Sequence, residues 1–168
     1  KKYGIGKNDF VYGDVCFVRK DKGSNELLIA FKNINEKNHN TWLVFVGDIY
    51  EEDALDKKLM DWAKLSDRVI FTGRVSDVEH YLAGFNCMVH PSYREGLGMV
   101  LQEAGAMGIL SITTDIPGPC EFAINGESVL LVKKADAQDL QEKMEYVLNN
   151  PKALEKLSND AYMLTKKR

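Results

Sequence analysis

Six short runs of apolar and β-branched residues punctuate this chain: Val15–Val18, Trp42–Val46, Arg68–Phe71, Cys87–His90, Leu110–Thr114 and Val129–Val132. Between them lie longer stretches with helical periodicity: Ser24–Asn33, with Leu27, Leu28 and Phe31 on one face, then Glu52–Leu65, Asp77–Ala83 and Gly98–Met107. Strands that are apolar on both sides, and separated by crossover-length helices, read as a parallel sheet covered on both faces. Two more helices follow the last run. Asp136 is placed to cap the first, and Pro151 sits in the first turn of the second, where a missing N–H is tolerated. The pattern predicts a three-layer α/β/α domain with a parallel sheet of about six strands over residues 1–150, followed by a trailing helix at 151–168.

Composition narrows the function. The chain has 168 residues, 45% hydrophobic and 28% charged, enough for one buried core. Its 22 Lys and Arg against 25 Asp and Glu leave a charge of −3, and the only dense basic run is Lys166-Lys167-Arg168. That excludes a dedicated nucleic-acid binder, which needs clustered cations to neutralise phosphates. No apolar stretch approaches the roughly 20 residues that cross a bilayer, and the first residues carry no signal-peptide core. Cys16, Cys87 and Cys120 show no CxxC spacing and His39, His80 and His90 are scattered, so no disulfide framework or zinc site is expected and a reducing cytoplasm is. The chain opens on Lys1 and runs almost at once into structure, as a piece of a longer protein would.

In parallel sheets, ligands sit at the carboxyl ends of the strands, where helix N-termini offer unpaired N–H groups. Two phosphate motifs fail there. Gly4-Ile5-Gly6 has Asp9 where a third glycine is needed and precedes the first strand, and Gly6-Lys7 has Lys1 where a phosphate loop needs its first glycine. The segment Pro91-Ser92-Tyr93-Arg94-Glu95-Gly96-Leu97-Gly98-Met99-Val100-Leu101-Gln102-Glu103 follows a strand, turns on two glycines and enters a helical pattern. Eight residues of helix would set Glu95 and Glu103 about 12 Å apart and within about 80° of one face. A glycosidase pair stands roughly 5–9.5 Å apart. The spacing better suits the two ends of one extended ligand. A nucleotide diphosphate sugar is such a ligand, with hydroxyls for a carboxylate at each end and a diphosphate between.

These residues, with His90 before them and Thr113-Thr114-Asp115-Ile116-Pro117-Gly118, Glu121 and Asn125-Gly126-Glu127 after, resemble the nucleotide-sugar-binding C-terminal half of family 4 glycosyltransferases, whose signature is E-x7-E. The likeness runs from about Phe10 to Pro151. It implies one half of a GT-B enzyme: a Rossmann-like donor domain, sugar transfer with retention, no metal and no cofactor, and a separate N-terminal acceptor-binding domain absent from this chain. Residue by residue, it implies that Glu95 holds donor-sugar hydroxyls. The amides of Gly96, Leu97, Gly98 and Met99 would approach sugar and diphosphate, and Glu103 would bind the ribose. Gly73, Arg74 and Val75 would meet the base, and Lys22 the diphosphate. The loop style resembles transferases of bacterial capsule and O-antigen synthesis. That implies a UDP-sugar in preference to a GDP-sugar, a lipid-linked or glycan acceptor, and a cytoplasmic enzyme working at the inner membrane face.

One departure stands out. Where the family reads Gly-Arg ahead of the lysine, this chain has Cys16 and Phe17; Arg19, two residues on along a strand, would project on the same side and could replace the arginine. Losing a charge-assisted contact weakens affinity by on the order of 1.5–3 kcal/mol. Phe17 therefore motivates an alternative, a non-catalytic nucleotide- or partner-binding domain that kept the fold. A sugar-nucleotide epimerase of the same architecture lacks the support of the E-x7-E turn. His90 reads as a packed or turn-bonded strand-end residue, Trp42 and Trp62 as core and Cys120 as an inert small residue. Glu121 reads equally as a turn carboxylate or as a group supporting the site.

Overall fold

Phe10–Val15 forms strand β1, five residues upstream of the expected Val15–Val18. Gly13 and Asp14 interrupt the apolar pattern there, and tertiary neighbours explain both. A Cβ on Gly13 would lie 2.1 Å from the Phe85 ring, and the Asp14 carboxylate is fully buried against a hydrogen-bonding partner. The expected run instead continues past the strand, Cys16 N–H donating to the Val46 carbonyl (3.1 Å) and Val18 N–H to that of Asp48 (2.9 Å). The computed structural model describes residues 3–53, 55–96, 98–118 and 124–167. Leu97, Cys120 and Glu121 lie outside the described residues.

The other strands fall where periodicity puts them: β2 Thr41–Val46, β3 Val69–Phe71, β4 Cys87–His90, β5 Leu110–Thr114 and β6 Val129–Val132. They form one sheet in the order β3-β2-β1-β4-β5-β6, with every neighbouring pair parallel. The helices among the described residues are α1 Ser24–Lys37, α2 Lys57–Leu65, α3 Val78–Leu82, α4 Met99–Ala106, α5 Ala137–Asn149 and α6 Pro151–Lys166. Helix α2 starts later than Glu52 because Asp56 caps it, accepting from Leu59 N–H at 2.9 Å, while Glu51–Asp53 make a separate 3-10 turn. Asp136 caps α5 in the same way, accepting from Asp139 N–H at 2.9 Å.

Alternate residues of the strands feed two cores. Tyr12, Leu43, Phe45 and Val89 pack with Leu27, Phe31 and Ile34 of α1 and Leu140, Met144 and Val147 of α5. Val11, Trp42, Val44 and Met88 pack on the opposite face with Leu82, Phe85, Leu101 and Ala104. Fully burying each large side chain stabilises by about 1.5–3 kcal/mol, which is what fixes the register of the sheet between its two helix layers. The Tyr12 hydroxyl, wholly buried, donates to the Met144 carbonyl at 2.8 Å. Trp42 is core as expected, its indole N–H donating to Asp9 (2.7 Å), and Trp62 packs at the core edge. Helix α6 seats Leu157 and Ala161 on the domain and approaches α4 closely, a Cβ on Gly105 falling 2.6 Å from Thr165 Oγ1. No described helix is long and apolar enough to cross a membrane.

The strand order sets where a ligand can enter. From β1 the chain proceeds outward through β2 and β3, then returns to β4 on the other side of β1 and continues to β5 and β6. Connections therefore diverge at the carboxyl ends of β1 and β4, the switch point at which open parallel sheets place their ligand crevice.

Candidate functional site

The last residues of β1 and β4 meet at that crevice. His90, the end of β4, is buried and bonded through both ring nitrogens: Nδ1 to Asp14 Oδ1 and Nε2 to Glu95 Oε1, each at 2.7 Å. Burial works against charge on the ring, but Asp14 and Glu95 outweigh it and raise the His90 pKa to about 9, so the ring donates from both nitrogens at neutral pH. Glu95 accepts on the same Oε1 from Lys22 Nζ at 2.5 Å. Burial alone would raise its pKa; the hydrogen bonds from His90 and Lys22 reverse this and hold it at about 2, an ionised carboxylate. Asp14 also accepts from the Cys16 thiol at 3.0 Å, and burial keeps that thiol protonated.

Two glycines bring the loops together. Gly23 (φ 70°) ends the turn before α1, and a Cβ there would lie 2.1 Å from the Pro91 carbonyl oxygen, so the turn carrying Lys22 rests directly on the segment carrying Glu95. Asp21 bolts the two, its carbonyl accepting from Tyr93 N–H (2.8 Å) and its carboxylate pairing with Arg94 (3.0 Å) and Arg19 (2.6 Å). Gly118 (φ 97°) brings the loop after β5 against the same turn, its would-be Cβ 2.0 Å from the Gly96 carbonyl oxygen.

The structure thus brings Glu95 and Lys22 into contact, a pairing that the reading of separate roles did not anticipate. Gly96 is exposed, Gly98 (φ 58°) is the N-cap of α4, and Met99 opens that helix at 66% exposure. In the first turn Leu101 N–H donates to the carbonyl of the N-cap Gly98 (3.0 Å), while the N–H groups that open a helix, with the positive end of its dipole, suit an anion. Glu103 is exposed on the second turn. The estimate of eight helical residues between the acids is corrected: Glu95 lies in the turn ahead of α4, so only the later part of that spacing is helix. Arg19 lies against Asp21 and over the Tyr50 ring (5.6 Å), and Phe17 is 55% exposed with its edge to the same ring. Gly73 and Arg74 lie across the neighbouring loop: Gly47 N–H donates to the Gly73 carbonyl (3.1 Å) and Arg74 N–H to Asp48 (2.8 Å), while Val75 packs on the α3 side of the core. Among the described residues no group of three or more His, Cys, Asp or Glu is placed to hold a metal ion. Sequence reasoning missed Asp14 and read His90 as packed or turn-bonded without joining it to the site; the available signal was a lone acid inside an apolar run.

Comparison with known proteins agrees with this geometry. The family described as Glycosyl transferases group 1 matches residues 1–163. The capsular polysaccharide biosynthesis glycosyltransferase CapM of Staphylococcus aureus is 31% identical over 160 residues, 95% of this chain and 42% of that protein. The lipopolysaccharide core biosynthesis glycosyltransferase LpsE of Rhizobium meliloti is 34% identical over 107 residues, 64% of this chain and 31% of that protein. This chain thus spans about two-fifths of the length of CapM. Among solved structures, Anabaena Alr3699/HepE in complex with UDP and glucose superposes with a TM-score of 0.88 at 22% identity, covering 99% of this chain and 46% of that one. The C-terminal domain of LpcC from Francisella tularensis does so with 0.86 at 24% identity, covering 95% and 85%.

Proposed function

Because the chain belongs to the group 1 glycosyl transferases, we propose that it is the donor-binding half of a retaining transferase that moves a hexose-type sugar from a UDP-sugar to a glycan or lipid-linked acceptor in surface polysaccharide synthesis. The observation that carries this is the Lys22–Glu95 contact beside a glycine turn into α4, at the crevice between β1 and β4. An ionised carboxylate there accepts hydroxyls, and an ammonium beside it, with helix amides, meets phosphate oxygens. CapM and LpsE are named for capsule and lipopolysaccharide synthesis, and Alr3699/HepE was solved with UDP and glucose, which supports the acceptor class and a uridine donor.

In this reading Glu95 fixes the sugar, Glu103 the ribose, and Gly73, Arg74 and Val75 flank the base. As the bond between the anomeric carbon and the diphosphate breaks, its electron pair leaves on phosphate oxygen. Lys22 and the amides of Gly96, Gly98 and Met99 stabilise that charge, while the acceptor hydroxyl attacks from the same face and passes its proton to the departing phosphate oxygen. Positive charge comes from the protein itself, and the reading calls for no metal or organic cofactor. A separate acceptor-binding domain closes the crevice, and a lipid-linked acceptor places the work at the cytoplasmic face of the membrane.

Titrating the chain with UDP and GDP tests donor binding: saturable binding of UDP in preference to GDP is expected. A folded chain that binds neither up to millimolar concentration overturns the reading. One observation favours a second reading. The position aligned with the family's arginine carries Phe17, packed on Tyr50, and the nearby Arg19 is paired with Asp21. A domain that binds nucleotide without transferring sugar would look like this. Donor turnover by the full-length protein that disappears in Glu95→Ala rejects it.

A further inference from the structure

Glu95 is held more elaborately than sugar binding requires. Its Oε1 receives both Lys22 and His90, and every hydrogen bond and ion pair given to its carboxylate among the described residues falls on that one oxygen. Behind His90 stands a fully buried carboxylate, Asp14, with which the imidazole shares its other nitrogen. Two donors use the two lone pairs of one oxygen and leave those of the other for a further partner. We propose that Asp14 and His90 are positioning residues for the donor sugar: through them Oε1 is fixed to the protein, so that Oε2 is presented to the sugar hydroxyls. This rests on the donor-binding reading above and adds residues to it that sequence analysis did not assign.

Among the described residues the groups facing the relay are few. From β1 comes Asp14, and from the residue just past that strand the Cys16 thiol, which donates to Asp14. From β5 the Thr113 hydroxyl donates to the His90 carbonyl (2.9 Å). From the turn before α1, Lys22 reaches Glu95. Asp14 and Glu95 both accept from the ring, so it must carry two N–H groups to satisfy them. Loss of one proton leaves a bare nitrogen lone pair against a carboxylate oxygen, which repels. Sugar grip should then depend directly on the charge of His90, whereas the nucleotide meets the relay only through Lys22, one contact further along, and its grip should depend on that charge less.

Isothermal titration of the chain with UDP and with UDP-linked glucose, galactose, N-acetylglucosamine and N-acetylgalactosamine gives, for the tightest sugar, the ratio of UDP-sugar to UDP affinity. Deprotonation of the uracil acts on both ligands and cancels in the ratio. In the native chain the ratio should fall as pH rises through about 9, where His90 loses its proton. Asp14→Asn should lower the ratio roughly tenfold near pH 8 and move its pH midpoint down toward the ordinary histidine range. His90→Gln keeps one N–H for Glu95 but cannot titrate, so the pH step should vanish. Ratios that stay unchanged in both variants overturn the proposal. So do UDP and UDP-sugar affinities that weaken in parallel, the signature of a merely structural role, and a panel in which no sugar binds tighter than UDP. Should Asp14→Asn fail to fold, the native pH profile and His90→Gln decide. Absence of UDP binding as well removes the donor-binding reading and the relay with it.

Discussion

Replacing His90 with Gln should flatten a loss of stability that the native protein undergoes as pH rises from about 7 to about 9. The imidazole has a folded pKa of about 9 against an ordinary 6.5, because Asp14 and Glu95 outweigh the effect of its burial. Between those values the folded protein holds a proton that the unfolded chain has released, so stability falls as pH rises. The contribution is fully present below about pH 6.5 and lost as pH climbs through about 9. A shift of roughly 2.5 units corresponds to about 3 kcal/mol, of which about 2 kcal/mol disappears between pH 7 and pH 9. The His90 side chain is 2% exposed, so solvent screening removes little of this. For a domain of this size that is a fall in Tm of about 4–8 °C. Urea or thermal unfolding at several pH values, run on both proteins, isolates the effect, because lysines and tyrosines titrate alike in each and cancel in the difference. Native and variant stabilities that run parallel from pH 7 to pH 9 would refute the reasoning.

Other expectations follow from single contacts. Gly13→Ala puts a methyl 2.1 Å from the Phe85 ring and should destabilise by about 1–3 kcal/mol, seen as a lower urea midpoint at unchanged slope; an unmoved midpoint means that the ring yields freely. Lys22→Ala should weaken UDP binding about ten- to a hundredfold in calorimetry, and an unaltered affinity would sink its phosphate role. Phe17→Arg, at a position 55% exposed, should leave stability within about 0.5 kcal/mol and tighten UDP binding roughly tenfold; no gain counts against the aligned arginine's role in this chain. Tyr12→Phe removes a buried hydrogen bond to the Met144 carbonyl and should lower stability by about 0.5–1.5 kcal/mol by chemical denaturation.

Much of the architecture was legible in the chain itself. Hydrophobic period is a local property, so Trp42–Val46 and Cys87–His90 announced buried strands, and Asp136 and Pro151 announced helix starts, without knowledge of any neighbour. The glycine turn between Glu95 and Glu103 was likewise visible, because turn chemistry and helical pattern lie within a dozen residues of each other. What escaped was whatever depends on a distant partner. Gly13 and Asp14 looked like interruptions until Phe85 and His90 were found beside them, and the first strand was placed five residues late in consequence.

Sequence alone thus determined the layers, the approximate strands and the acidic turn, since each follows from residue spacing along the backbone. Tertiary structure decided the strand order, the crevice between β1 and β4, and the chain of contacts from Asp14 through His90 and Glu95 to Lys22. Lys22 and Glu95 are 73 positions apart, and only the folding of both turns onto one edge of the sheet, with Gly23 permitting the close approach, makes them neighbours. The charge states of these groups arise from that proximity inside a buried environment, which no local pattern encodes.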